Sequence, residues 1–148
     1  MIRKIKQVDV EEIERILNKI PIFSEAEIKV GMELVNIAAS DIEQTDYNVF
    51  VYEEDKKIYG YYCIGRRPLT DAVYDLYWIA VDPELLQHAE NFVLEKQGRW
   101  LLAETSSKQS YEKTRNFYLR NNFTVIAQIN DFYTVGDSLI IFGKFFNK

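Results

Sequence analysis

Apolar residues recur along the chain with two different periods, and the switches between them mark out the elements. Ile2 to Lys6 alternates apolar and basic residues, which predicts a short strand. Asp9 with Glu12 three residues on has the reciprocal pattern of a capping box, and Val10, Ile13, Leu17 and Ile20 supply the apolar stripe of a helix. Ser24 with Glu27 repeats that signal, and Ile28, Met32, Val35 and Ala39 make a second amphipathic helix beyond Pro21. Asn48 to Glu53 and Lys57 to Ile64 read as strands around the turn Glu54-Asp55-Lys56, and a loop with Arg66, Arg67 and Pro68 follows.

Val73 to Val81 is apolar or aromatic on both faces apart from Asp75, the pattern of a central strand covered on both sides. Asp82-Pro83-Glu84 opens a helix, with Asp as N-cap and Pro at the first helical position. Leu85, Leu86, Ala89, Phe92 and Val93 keep helical spacing up to Gln97, and Gly98 is expected to stop it. Trp100 to Thr105 is the next strand, Ser110 to Asn121 the next helix, and Phe123 to Ile129 and Leu139 to Phe146 close the chain as strands. The order β-α-α-β-β-β-α-β-α-β-β predicts an α/β (α+β) fold, a single mixed central sheet with helices on both faces. Strand 73–81, helix 84–97 and strand 100–105 form a βαβ unit with parallel strands and a right-handed crossover. Their carboxyl ends, near Val81 and Thr105, then lie side by side, where ligands bind in α/β sheets.

Composition narrows the chemistry. The 148 residues suit one domain, 1–148, and 47% hydrophobic with 14% aromatic residues supplies a core. A net charge of −5 without a Lys/Arg stripe gives no reason to expect nucleic acid. Arg3, Lys4 and Lys6 are too short a basic start, interrupted by Ile5, for a signal peptide. No apolar run approaches the roughly 20 residues of a membrane span, so a cytoplasmic location is expected. Cys63 is the only cysteine, which excludes intrachain disulfides. His88 is the only histidine, so a His-clustered metal site is not expected and a Ser/His/Asp triad is disfavoured. With Asn91 and Glu95 it falls on the polar helix face and reads as a surface histidine.

Several segments together resemble the GNAT N-acetyltransferase superfamily, in a small bacterial branch: Gly60-Tyr-Tyr-Cys-Ile through Pro68-Leu-Thr, then Tyr74-Asp-Leu-Tyr-Trp-Ile-Ala-Val-Asp-Pro83. Glu104-Thr-Ser-Ser107, Tyr111, Thr114-Arg-Asn-Phe-Tyr118, Asp131-Phe-Tyr and Gly136-Asp137 continue the likeness. The resemblance implies acetyl-CoA as co-substrate and direct transfer to an amine, with no metal. It puts Ile79, Ala80 and Val81 against the pantetheine arm, and Ser107, Tyr111 and Arg115 also at the cofactor. It makes Tyr118 the acid for the departing thiolate, a role that a phenol of pKa roughly 10 suits; core packing is the competing use of that ring. Asp75 and Glu104 are carboxylates within mostly apolar strands, and read either as bases or amine-binding groups or as partnered structural groups. Tyr77 is expected at the substrate, and Asp131, Tyr133 and Asp137 fall in a loop between the last strands that would line the substrate mouth.

One part of the family pattern is missing. A stretch of roughly ten residues of the form Q/R-x-x-G-x-G/A, whose amides grip pyrophosphate at a helix N-terminus, is expected after the Asp-Pro. Here Pro83 runs directly into Glu84-Leu-Leu, and no glycine stands between Gly65 and Gly98. Asp82 and Glu84 would repel an incoming anion as well, so acetyl-CoA binding is expected to be weakened. Three explanations stay open: a shortened and impaired enzyme; a different phosphate grip by Arg115, Lys108 or Arg99; or a segment left out between Pro83 and Glu84. The function expected is N-acetylation of a primary amine on a small molecule; the alternative is a non-catalytic binding module on the same fold. Ile140 to Phe146, rich in aromatics, serves either the core or a homodimer.

Overall fold

The computed structural model describes residues 1–79 and 82–147, and the predicted order of strands and helices runs through them. Strands are β1 (Ile2–Lys4), β2 (Asn48–Glu54), β3 (Lys57–Arg66), β4 (Val73–Ile79), β5 (Trp100–Ser106), β6 (Thr124–Thr134) and β7 (Asp137–Phe145). Helices are α1 (Val10–Asn18), α2 (Glu25–Ser40), α3 (Pro83–Glu95) and α4 (Glu112–Arg120), with 3-10 turns at Gln7–Asp9 and Gln109–Tyr111. The strands make one mixed seven-stranded sheet in the order β1-β2-β3-β4-β5-β7-β6. The backbone divides into two compact units, Met1–Gly65 with Tyr77–Ala89, and Arg66–Leu76 with Glu90–Lys148.

In the first unit, alternation along β2 and β3 sends successive side chains to opposite faces. Val49 and Val51 of β2 and Tyr61 and Cys63 of β3 join Ile13, Leu17, Met32 and Val35 in a core beneath α1 and α2. Phe50 and Tyr62, on the other face, stack at 5.2 Å and meet His88 of α3. Helices therefore cover both faces here, as the element order predicts. The Ser24–Glu27 capping box forms: Glu27 N donates to Ser24 Oγ (3.2 Å) and Ser24 N to Glu27 Oε2 (2.6 Å). The one expected between Asp9 and Glu12 does not. Asp9 has helical dihedrals and reaches backwards instead, accepting from Lys6 N at 2.7 Å and from the Arg3 guanidinium at 2.7 and 3.0 Å. Arg3 also binds Glu53, and this ion cluster ties β1 to β2 and to the turn before α1.

In the second unit, Val73 to Leu76 of β4 pair in parallel with Trp100 to Ala103 of β5, and β5 pairs antiparallel with β7. The last turn of α3 is a Schellman motif, with Gly98 N donating to Val93 O (2.8 Å) and Gln97 N to Leu94 O (2.9 Å). The residue in the left-handed region is Gln97 (φ 56°), not the expected Gly98. Gly98 is needed for space, since a Cβ there would lie 2.5 Å from Val93 Cγ1 and 3.0 Å from Tyr74 Cδ2. The loop expected over 130–138 is largely strand: β6 runs on to Thr134, and only Val135 and Gly136 form the tip before β7. An irregularity in register between Ile129 and Thr134, with Asp131 at φ 52°, absorbs the polar residues that suggested a loop. β6 is an edge strand, exposed along its whole length.

Candidate functional site

Two carboxylates converge on one guanidinium at the β4–β5 pair. Asp75 and Leu102 are register partners, so Asp75 shares a face with Leu102 and, two residues on, with Glu104. Arg67, at the start of the loop after β3, donates through Nε to both oxygens of Asp75 (3.0 and 2.9 Å). Its Nη2 lies 2.9 Å from Asp75 Oδ1 and donates to Glu104 Oε1 at 3.2 Å. Asp75 is buried, and its bonds to Arg67 push the guanidinium pKa up. Glu104 is exposed, and among the described residues no group binds its Oε2. The cluster carries one net negative charge, and the atom free to use it is that oxygen.

The loop feeding Arg67 is tightly held. Arg67 N donates to Val73 O (2.9 Å), Thr70 Oγ1 to Arg67 O (2.7 Å), and Arg99 N to Ala72 O (2.7 Å). Arg99 Nη2 binds Asp71 Oδ1 at 2.6 Å. Sequence reasoning placed Arg67 in a loop without assigning it a role. Its signal was an arginine just ahead of a strand carrying a lone carboxylate.

At the carboxyl end of β5, Thr105 is buried and its Oγ1 has no hydrogen-bond partner among the described residues. A buried hydroxyl without a partner is costly and marks a place where a ligand could supply one. Ser107 is tied to Ser138, its N donating to Ser138 O (2.9 Å) and its Oγ accepting from Ser138 N (2.8 Å). Arg115 Nη1 donates to Ser106 O (2.9 Å) and Lys108 O (2.7 Å), bracing the segment between β5 and α4. Tyr111 closes the 3-10 turn ahead of α4. Tyr118 is buried, its ring stacked on Phe142 at 5.3 Å and tilted against Phe123 at 5.2 Å. Burial raises its hydroxyl pKa, which keeps the phenol protonated.

The other expected residues are spread out. Tyr77 packs its ring against Tyr47 at 5.5 Å. Ile79 ends β4, while Ala80 and Val81 lie outside the described residues. Asp131 and Tyr133 belong to strand β6 rather than to a loop, with Asp131 Oδ1 accepting from Gly136 N at 2.7 Å. Asp137 is buried rather than lining an open mouth: its carboxylate accepts from the Ser106 hydroxyl and lies 3.6 Å from Lys108 Nζ. His88 is not the plain surface histidine expected, because its Nδ1 meets the hydroxyl of buried Tyr62 at 2.6 Å. The helical pattern counted it as polar; the aromatic side chains that receive it come from β2 and β3, far away in sequence.

The first amides of α3 are capped by its own N-terminal side chain. Asp82 Oδ1 accepts from Glu84 N (2.8 Å) and Leu85 N (3.3 Å), and Leu86 N donates to Asp82 O (3.1 Å) across the Pro83–Glu84 junction. An open groove of about 990 Å³ in the first unit is lined by the Arg3–Asp9–Glu53 cluster, Lys56, Lys57 and Tyr59, and by none of the expected site residues. Among the described residues there is no group of three or more His, Cys, Asp or Glu side chains that could hold a metal ion. No helix among them is long and apolar enough to cross a membrane.

No protein-family model and no curated protein matches the chain. Solved structures do. A protein from Desulfovibrio desulfuricans described as an acetyltransferase of the GNAT family is 33% identical, covers 98% of each chain and superposes with a TM-score of 0.91. An aminoglycoside 6'-N-acetyltransferase complexed with coenzyme A shares 11% identity over 100% of this chain and 98% of its own, with a TM-score of 0.75. A ribosomal-protein-alanine N-acetyltransferase from Brucella melitensis shares 13% over 99% of each, at 0.73. The last two show the fold alone; the first, at that identity along nearly the whole chain, shows the family. This chain, with its seven-stranded mixed sheet and parallel β4–β5 pair, belongs to the GNAT acetyltransferases.

Proposed function

We propose that the protein transfers an acetyl group from acetyl-CoA to a primary amine of a small molecule, and that its grip on the donor is weak. The observation that carries the acceptor side is Glu104 Oε2, unbound beside an Asp75 carboxylate already neutralised by Arg67. A cationic amine is the group that such a site favours. In the reaction the neutral amine attacks the thioester carbonyl, and a C–N bond forms as the C–S bond breaks. Glu104 or a water beside it takes the ammonium proton, and Tyr118 supplies one to the thiolate. Burial keeps the phenol protonated but also raises its pKa, which makes it a weaker donor to the thiolate than a tyrosine of ordinary pKa.

The donor side fits in part. Coenzyme A bound in an aminoglycoside acetyltransferase of similar fold supports the choice of donor. The unpartnered Thr105 hydroxyl at the end of β5 suits a polar group of that donor. The α3 N-terminus does not suit pyrophosphate, because Asp82 already holds the first amides and Glu84 adds a second negative charge. Arg99 is paired with Asp71, Arg115 with two carbonyls, and Lys108 Nζ lies 3.6 Å from Asp137, so all three are already engaged. Losing two charge-assisted amide bonds at about 1.5–3 kcal/mol each weakens binding roughly a hundred- to ten-thousand-fold. The same reading puts the protein in the reducing cytoplasm, where the single buried Cys63 thiol needs no partner.

Calorimetric titration with acetyl-CoA tests this. Heat with a midpoint in the high micromolar to millimolar range is expected, and a folded protein that gives none would sink the enzyme reading. A second reading, a non-catalytic interaction module, draws on β6, an edge strand exposing Val125, Ile126, Ile129, Phe132 and Tyr133. Edge strands of that kind favour pairing with another chain, such as a second copy in a homodimer. Sedimentation that stays monomeric at high concentration would remove that support.

A further inference from the structure

The open groove of about 990 Å³ is built wholly within the first unit, since every residue that lines it precedes Gly65. One wall is α1 with the turns that flank it, and the other is the hairpin between β2 and β3. Arg3 of β1 joins the two through Asp9 on one side and Glu53 on the other. Charge along the groove runs opposite to that of the chain: five cations face three carboxylates, while the whole chain carries −5. Arg3 is engaged by Asp9 and Glu53, and Glu12 is held by Arg15. Lys6, Lys19, Lys56 and Lys57 are exposed and make no ion pair among the described residues.

Apolar side chains line the same groove. Val8 is 82% and Tyr59 57% exposed, and half-buried Ile16 and Ile20 lie there with buried Ile58. A concave surface that joins exposed apolar area to unneutralised charge of one sign suits a ligand that carries both. Spacing sets the size of that ligand. Lys6 precedes α1 and Lys19 follows it, which puts them roughly 20 Å apart at about 1.5 Å per helical residue. About six residues of extended chain span that length, with alternate side chains on one face roughly 7 Å apart. A small anion reaches only one end. The concave shape does not suit a flat bilayer, and the Asp9, Glu12 and Glu53 carboxylates in the lining oppose a phosphate backbone.

We infer that this groove is a docking site for an extended acidic segment of a partner protein. Carboxylates of the segment pair with Lys6, Lys19, Lys56 and Lys57, and its apolar side chains cover Val8, Ile16, Ile20 and Tyr59. The site shares no residue with the proposed acetyl-transfer chemistry, so the two stand or fall separately.

The test is an NMR titration of the isotope-labelled full chain with an acidic octapeptide, in which glutamates alternate with leucines and serines. A second peptide carries glutamine in place of every glutamate. The acidic peptide should shift amides of the 6–20 and 53–59 segments, bind about tenfold more tightly than its glutamine counterpart, and weaken as salt is raised. Lys56→Glu combined with Lys57→Glu changes two exposed side chains, so Tm should hold while affinity for the acidic peptide falls about tenfold. Absence of shifts in those segments, equal binding of the glutamine peptide, or indifference to the charge reversal overturns the inference. Inorganic phosphate that matches the peptide's affinity at the same amides overturns the peptide class, as does binding to phosphatidylserine vesicles by a protein that ignores the peptide.

Discussion

Replacing Arg67 by Met removes the one cation that pairs with Asp75 among the described residues. Asp75 is 8% exposed and accepts from Arg67 Nε through both oxygens, with Nη2 2.9 Å from Oδ1. Breaking a buried ion pair by deleting one partner costs about 3–5 kcal/mol, because the remaining charge is stranded. Here the Arg67 side chain is 41% exposed, so water can enter where it leaves, and the cost falls to about 1–3 kcal/mol. The second substitution, Asp75→Asn, removes the stranded charge. Arg67→Met with Asp75→Asn should therefore recover about 1–2 kcal/mol relative to the sum of the single changes. Urea unfolding of the four proteins, with m-values that agree, measures this coupling directly. Single effects that add within about 0.5 kcal/mol would refute the reasoning and show Asp75 to be solvated from elsewhere. The result also bears on the proposed chemistry, in which a strongly coupled Asp75 would be a positioning residue and Glu104 the carboxylate that meets the amine.

Three further outcomes follow from the same geometry. Burial opposes ionisation of Asp9, but hydrogen bonds from Arg3 and Lys6 N outweigh it and hold its pKa below the ordinary 3.8. A depressed carboxylate pKa contributes stability that is present above the unfolded value and lost as pH falls through the folded one. Asp9→Asn should cost about 2–4 kcal/mol at pH 7 and progressively less as the pH is taken below the ordinary carboxylate value, and a cost independent of pH, by urea unfolding, would contradict it. Gly98→Ala should destabilise by about 1–3 kcal/mol, since its methyl would meet Val93 and Tyr74, and an unchanged Tm would show that this packing yields freely. Tyr118→Phe keeps the stacking on Phe142 and Phe123, so Tm should hold while kcat falls about tenfold or more; unchanged turnover removes Tyr118 as the acid.

Local patterns carried most of the architecture. Apolar runs located the strands and helical stripes the helices, because both periods are properties of the chain itself. The pair Ser24 and Glu27 could be read as a cap for the same reason: its partners are three residues apart. Asp9 showed the limit of that logic. Its carboxylate had a local partner to choose and a better one in Arg3 on β1. Gly98 is a similar case, where the sequence located the helix stop but the reason for glycine lies in Tyr74, across the parallel pair.

The site divides along the same line. Asp75 and Glu104 were legible as carboxylates in apolar strands, as was the absence of a glycine loop after Pro83, since both are facts of residue order. That Arg67 would join those two carboxylates was not, and neither was the bond from Tyr62 to His88. These contacts join residues that are 8 to 37 positions apart, through the register of neighbouring strands and the docking of a helix on a sheet. The gathering of Lys6, Lys19, Lys56 and Lys57 at one groove also needed coordinates, because α1 and the β2–β3 hairpin lie far apart in sequence. Residue order by itself thus determined the elements, their faces and the candidate carboxylates of this GNAT protein. Only the tertiary structure decided that Arg67 neutralises Asp75 and that, among the described residues, none binds Glu104 Oε2, because an ion pair is a matter of distance in space.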